Sequence, residues 1–112
     1  MIDTSPLHTL FWLLVAHAVC DYPLQGDFMA KAKNPVAPIP GVPWWIVMAA
    51  HCLIHAGGVV LVTGNTWLGL VEFVWHFGID SAKCRGRISF ADDQQLHVLC
   101  KVALWMAWWT LT

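Results

Sequence analysis

Charge is scarce in this chain. Asp, Glu, Lys and Arg make up 12% of its 112 residues and the net charge is −1, against roughly a quarter in ordinary soluble domains. With 58% hydrophobic residues and a mean hydropathy of +0.59, the composition excludes an ordinary soluble domain and points to a membrane. No run of Lys or Arg is long enough to track phosphates, so nucleic acid is not an expected partner. The four cysteines, Cys20, Cys52, Cys84 and Cys100, show no CxxC spacing. Neither a disulfide framework nor a zinc knuckle is indicated, and they read as small buried apolar residues. Met1 to Pro6 contains no Lys or Arg and no clean cleavage site follows, so the first apolar segment is expected to be retained rather than removed as a signal peptide. Internal repeats and low-complexity tracts are absent.

The chain does contain apolar runs without proline and without period-2 alternation, which favours helices over strands. They predict an all-α fold: a single integral membrane domain over residues 1–112, built as a four-helix transmembrane bundle with helices at roughly 7–22, 44–63, 67–83 and 93–111. Each run is near the ~20 residues needed to cross a bilayer. Pro23, Pro35, Pro38, Pro40 and Pro43 make the first connection irregular, with a short amphipathic turn expected around Gln25 to Lys33. Gly64-Asn65-Thr66 is a short turn between the second and third helices. Asp92 and Asp93 suit the start of the last helix through capping and the macrodipole. Most of the eight tryptophans fall near the ends of the runs, where indole rings favour the headgroup level, with Trp75 the candidate core aromatic. Lys31, Lys33, Lys83, Arg85 and Arg87 belong to the first and third connections, which places those loops in the cytoplasm and both termini outside.

Five of the six histidines lie inside these apolar runs or at their margins, and every run carries two ligand-type residues one helical turn apart: His17/Asp21, His51/His55, His76/Asp80 and Asp93/His97. Residues four apart share one helix face. Antiparallel neighbours oppose residues whose numbers keep a constant sum. On that register Asp21 meets His51, His17 meets His55, Asp80 meets Asp93, His76 meets His97, and Glu72 meets Lys101. The result is three layers about 6 Å apart. One holds Asp21, His51, Asp80 and Asp93, the next holds His17, His55, His76 and His97, and the deepest is a Glu72/Lys101 ion pair.

Mixed imidazole and carboxylate donors suit a divalent metal, Zn first, with Fe or Mn as alternatives. The expected metal ligands are His17, Asp21, His51, His55, His76, Asp80, Asp93 and His97. Asp93 is expected as ligand or general base. Glu72 either neutralises Lys101 or tunes the histidines, and Lys83 either snorkels or binds an anionic substrate group. Gln25 and Asp27 would cap or line the mouth of the site, while His8 and Asp3 read as interfacial residues.

The ordered set His17-x3-Asp21-x3-Gln25, Lys31 or Lys33, His51, His76-x3-Asp80-x2-Lys83 and Asp93-Gln94-x2-His97 resembles the DUF3307 family of small bacterial and phage membrane proteins over nearly the whole chain. Asp21-Tyr22-Pro23 stands where the family pattern has Asp-Phe. The resemblance implies a multi-pass protein of the bacterial inner (cytoplasmic) membrane and supplies neither a substrate nor a catalytic residue.

The leading expectation is an intramembrane His/Asp metal site near the cytoplasmic face, acting as a metal-dependent hydrolase of a membrane-embedded substrate. The alternatives are a proton or divalent-ion transporter, and a non-enzymatic interaction protein whose polar residues fix helix packing. The lipid bilayer is the expected partner, and four short helices leave room for a homo-oligomer.

Overall fold

The computed structural model describes residues 5–112; Asp3 lies outside them. The described residues form five α-helices and no strand: α1 Pro6–Asp21, α2 Gly26–Ala32, α3 Trp44–Thr63, α4 Thr66–Cys84 and α5 Phe90–Leu111. The amphipathic turn expected in the proline-rich connection is the seven-residue helix α2, bent by 81° from α1.

Local chemistry sets the boundaries. Pro6 starts α1 at the position where its missing N–H costs nothing. Gly64 ends α3 at φ +69, a left-handed conformation that glycine adopts without a steric penalty. Asn65 then caps α4, its side chain accepting from the Leu68 N–H at 3.1 Å. The last helix begins earlier than the sequence reading placed it. Ser89 is its cap, accepting from the Asp92 N–H at 3.0 Å, while Asp92 and Asp93 occupy the first turn and act on the macrodipole instead of capping.

The four long helices pack in the cyclic order α1, α3, α4, α5, with α2 against α3. Small residues permit the close approaches. A Cβ on Gly69 would fall 2.4 Å from Val60 Cγ2 and 3.0 Å from the Ala56 carbonyl oxygen, so α4 rests almost directly on the α3 backbone. The Trp105 indole N–H donates to the Pro6 carbonyl at 2.7 Å, which joins the start of α1 to the far part of α5. That end is filled by Leu13, Val59, Leu68, Leu104 and Trp108. Trp108 is therefore the buried indole, whereas Trp75, expected as core, is exposed.

Burial is inverted relative to a water-soluble bundle. Leu7, Leu53, Leu61, Trp67, Val74 and Leu99 are exposed, while His51, Glu72, His76 and His97 have no exposed surface at all. By length and composition, Trp44–Thr63 is the one described helix able to cross a membrane alone; α1 and α2 meet the same test only as a bent pair.

Candidate metal centre

The four i,i+4 pairs turn inward from the four long helices and meet. The rings of His17, His55, His76 and His97 close a circuit that follows the helix order, with centroid separations of 5.4 Å (His17 to His55), 3.8 Å (His55 to His76), 4.0 Å (His76 to His97) and 5.4 Å (His97 to His17). His51 stands beside this circuit, 4.7 Å from His55 and 4.9 Å from His76 by ring centroid.

Within the cluster, Asp21, His51, His55 and His76 each offer one donor atom, all within 4.8 Å of one another. Asp21 Oδ1 lies 3.0 Å from His55 Nε2, 3.3 Å from His51 Nε2 and 3.8 Å from His76 Nε2, and the His51 and His76 Nε2 atoms are 3.1 Å apart. Donors bonded at about 2.0 Å to a tetrahedral ion are about 3.3 Å from one another. Four of the six separations bracket that edge length and the others stay within 4.8 Å, so the residues present fit a divalent ion.

Two neighbours orient these donors. His76 Nδ1 donates to Glu72 Oε1 at 3.2 Å, which leaves the Nε2 lone pair directed at His51 and Asp21. Glu72 is fixed in turn by Lys101 Nζ at 2.6 Å on Oε1 and by the Cys100 thiol at 3.4 Å on Oε2. A carboxylate behind a ligating histidine is the usual way such a ring is held in one tautomer. On the other side, Gln94 Nε2 donates to Asp21 Oδ2 at 2.8 Å, and Gln94 Oε1 accepts from His17 Nε2 at 3.2 Å and from the Tyr22 hydroxyl at 3.3 Å. Asp21 thus keeps Oδ1 for the centre.

The remaining expected ligands stand around this group. Asp80 is engaged by two ammonium groups, Lys33 on Oδ2 and Lys83 at 3.0 Å from Oδ1, although its Oδ2 is also 3.4 Å from His51 Nε2. Asp93 accepts from Gln94 Nε2 at 3.1 Å on Oδ2 and faces Lys83 at 3.9 Å. Its Oδ1 is 3.2 Å from His97 Nε2, at an angle that makes no hydrogen bond. His17 is turned toward Gln94 and lies outside the four-donor group. Asp27 is exposed and pairs with Lys31 at 3.9 Å, away from the cluster, whereas the Gln25 amide donates to the Asp21 carbonyl at 3.2 Å.

Lys33 is the residue whose place the sequence reading missed. Expected as a loop charge that sets topology, it is buried against Asp80 at the end of α2. Gln94, noted only as part of a motif, links α1 to α5 through Asp21 and Asp93. In all, four carboxylates (Asp21, Glu72, Asp80, Asp93) face the buried ammonium groups of Lys33 and Lys101 and the partly exposed one of Lys83, which leaves the cluster favourable to a further cation.

No curated protein and no solved structure matches the chain. The model of the family described as "Protein of unknown function (DUF3307)" matches residues 9–112, and the chain belongs to that family.

Proposed function

We propose that this protein is a multi-pass bundle of the bacterial cytoplasmic membrane that holds a divalent ion, Zn first, between Asp21, His51, His55 and His76. It would use the ion to hydrolyse an ester, phosphoester or amide presented at the cytoplasmic leaflet. The observation that carries the reading is that four of the six donor separations are 3.0 to 3.8 Å, near the edge of a coordination tetrahedron, with all donors within 4.8 Å of one another.

Support for the bilayer comes from where the charges are. Helices α4 and α5 are rich in ionisable residues, but Glu72, Asp80, Asp93 and Lys101 all point inward and are buried. The outward residues Leu70, Val71, Val74, Val98, Leu99 and Met106 are apolar. Hydropathy averaged over the whole helix therefore understates what lipid would meet. Lys31, Arg85 and Arg87 are exposed in the two connections opposite the chain ends, the arrangement expected of a cytoplasmic face.

A bound divalent ion would lower the pKa of a coordinated water and polarise a substrate oxygen. Within the chain, Glu72 and Gln94 orient the donors. Asp93 Oδ1, without a hydrogen-bond partner among the described residues, is the base candidate. Lys83, a quarter exposed beside Asp80 and Asp93, would receive an anionic substrate group.

Two rival readings fit less well. A transport path would have to continue past Glu72 and Lys101, where Leu13, Val59, Leu68, Leu104 and Trp108 fill the bundle. A network built only for helix packing would satisfy its members. Yet among the described residues His97 leaves both ring nitrogens, and His17, His51 and His55 leave Nδ1, without a hydrogen-bond partner. The test is turnover of labelled phospholipids and lipid amides in mixed micelles by Zn-loaded protein. Product release that disappears in His51→Ala supports the reading. Intact substrates with metal bound would reject the hydrolytic step.

A further inference from the structure

A second donor group lies directly behind the first: Glu72, His76 and His97, with ligand atoms again within 4.8 Å of one another and all three residues fully buried. His76 belongs to both groups and faces them with different atoms, Nε2 toward His51 and Asp21 and Nδ1 toward Glu72. His97 stacks on His76 at 4.0 Å between ring centroids and leaves both nitrogens without a hydrogen-bond partner among the described residues. These are the features of a metal position, but a cation is already there. Lys101 Nζ is 2.6 Å from Glu72 Oε1, the oxygen that also accepts from His76.

We propose that Glu72, His76 and His97 form a second cation position whose resident cation is the Lys101 ammonium, so that Lys101 keeps the centre mononuclear. This inference rests on the first group holding metal. Two ions flanking one imidazole would leave that ring without a proton on either nitrogen. An ammonium at Glu72 permits the Nδ1–H···Oε1 bond instead and so keeps His76 a neutral ligand. All four residues are buried, so bulk water does not compete for the lysine held there. Its charge, close to the first ion, repels a second.

The experiment counts Zn per chain, by elemental analysis after equilibration with excess Zn and removal of free ion, in detergent-purified wild type, Lys101→Met, and the double variant Glu72→Gln/Lys101→Met. Methionine matches lysine in length without charge, and the double variant restores neutrality around Glu72. Should Lys101→Met not assemble, Lys101→Gln, which keeps a donor to Glu72, takes its place. The expected counts are one, two and one. One ion in both wild type and the single variant would overturn the proposal, as would two in wild type. Zero in wild type would overturn the first site itself and this inference with it. A second readout is magnetic. With Cu2+ replacing Zn, the single variant should lose the isolated-ion EPR signal through coupling across His76, while wild type retains it.

Discussion

His51 Nε2 and His76 Nε2 stand 3.1 Å apart, and neither ring has any exposed surface. Two imidazole nitrogens at that distance can hold one proton between them, so at least one lone pair faces the space that Asp21 Oδ1 also borders. An ion placed there removes the conflict, with the His51 ring proton carried on Nδ1 instead. A ring that takes up a second proton cannot ligate, so metal affinity is expected to fall once pH is low enough to protonate the donors. Competition with a chromogenic chelator from pH 8 down to about pH 4 checks this, each titration corrected for the chelator's own protonation. A flat profile would place the ion on other donors.

Glu72→Gln keeps an oxygen for the His76 N–H but loses the charge that holds the ring in its ligating tautomer. The expected outcome is a 10- to 100-fold weaker hold on metal, with helix content by circular dichroism unchanged. Equal affinity would show that Glu72 serves only Lys101.

Lys33 is expected to fasten the α2 segment to the bundle. Its ammonium meets Asp80 in the interior, so Lys33→Ala leaves Lys83 as the one ammonium on that carboxylate, with His51 beside it. Breaking one side of a buried pair costs about 3–5 kcal/mol. The loss should appear as faster protease cleavage between Pro23 and Pro43. Cleavage at the wild-type rate would mean that α2 is held by its apolar contacts.

At Gly69 even a methyl group is too large. Its Cβ would meet Val60 Cγ2 at 2.4 Å and the Ala56 carbonyl at 3.0 Å. The valine can rotate away, whereas the carbonyl belongs to α3 and moves only with the helix. Gly69→Ala should destabilise the bundle by about 1–3 kcal/mol, read from denaturant unfolding in detergent, while Gly57→Ala, which meets nothing within 4 Å, should be close to neutral.

Topology offers a check that needs no metal. A periplasm-dependent reporter fused after Thr112 should be active, and the same reporter inserted at Gly86, between the exposed Arg85 and Arg87, should be inactive. The reverse pattern would invert the bundle and put the site at the outer face.

The inward pairs were legible because helical periodicity alone puts His17 with Asp21 and His76 with Asp80 on one face, and the scarcity of charge made each pair conspicuous. The antiparallel register correctly paired Glu72 with Lys101, Asp21 with His51 and His76 with His97, whereas His55, set opposite His17, instead bonds Asp21. The order of helices was not legible. It depends on close approaches such as Gly69 over Ala56, and one glycine in an apolar run looks like any other. Lys33 escaped notice because its partner Asp80 is 47 residues away and a lysine in a proline-rich loop reads as a solvated charge. The start of α5 was legible but overlooked, since Ser89-x-x-Asp92 is the capping spacing and moves the helix start ahead of the acids.

The most direct test of the metal centre is X-ray absorption at the metal edge on protein purified in mild detergent. The account predicts one divalent ion per chain, with a shell of nitrogen and oxygen at about 2.0–2.1 Å, outer-shell scattering from three imidazoles and no sulfur. An ion bound by cysteine sulfur, or no ion after reconstitution, would contradict it.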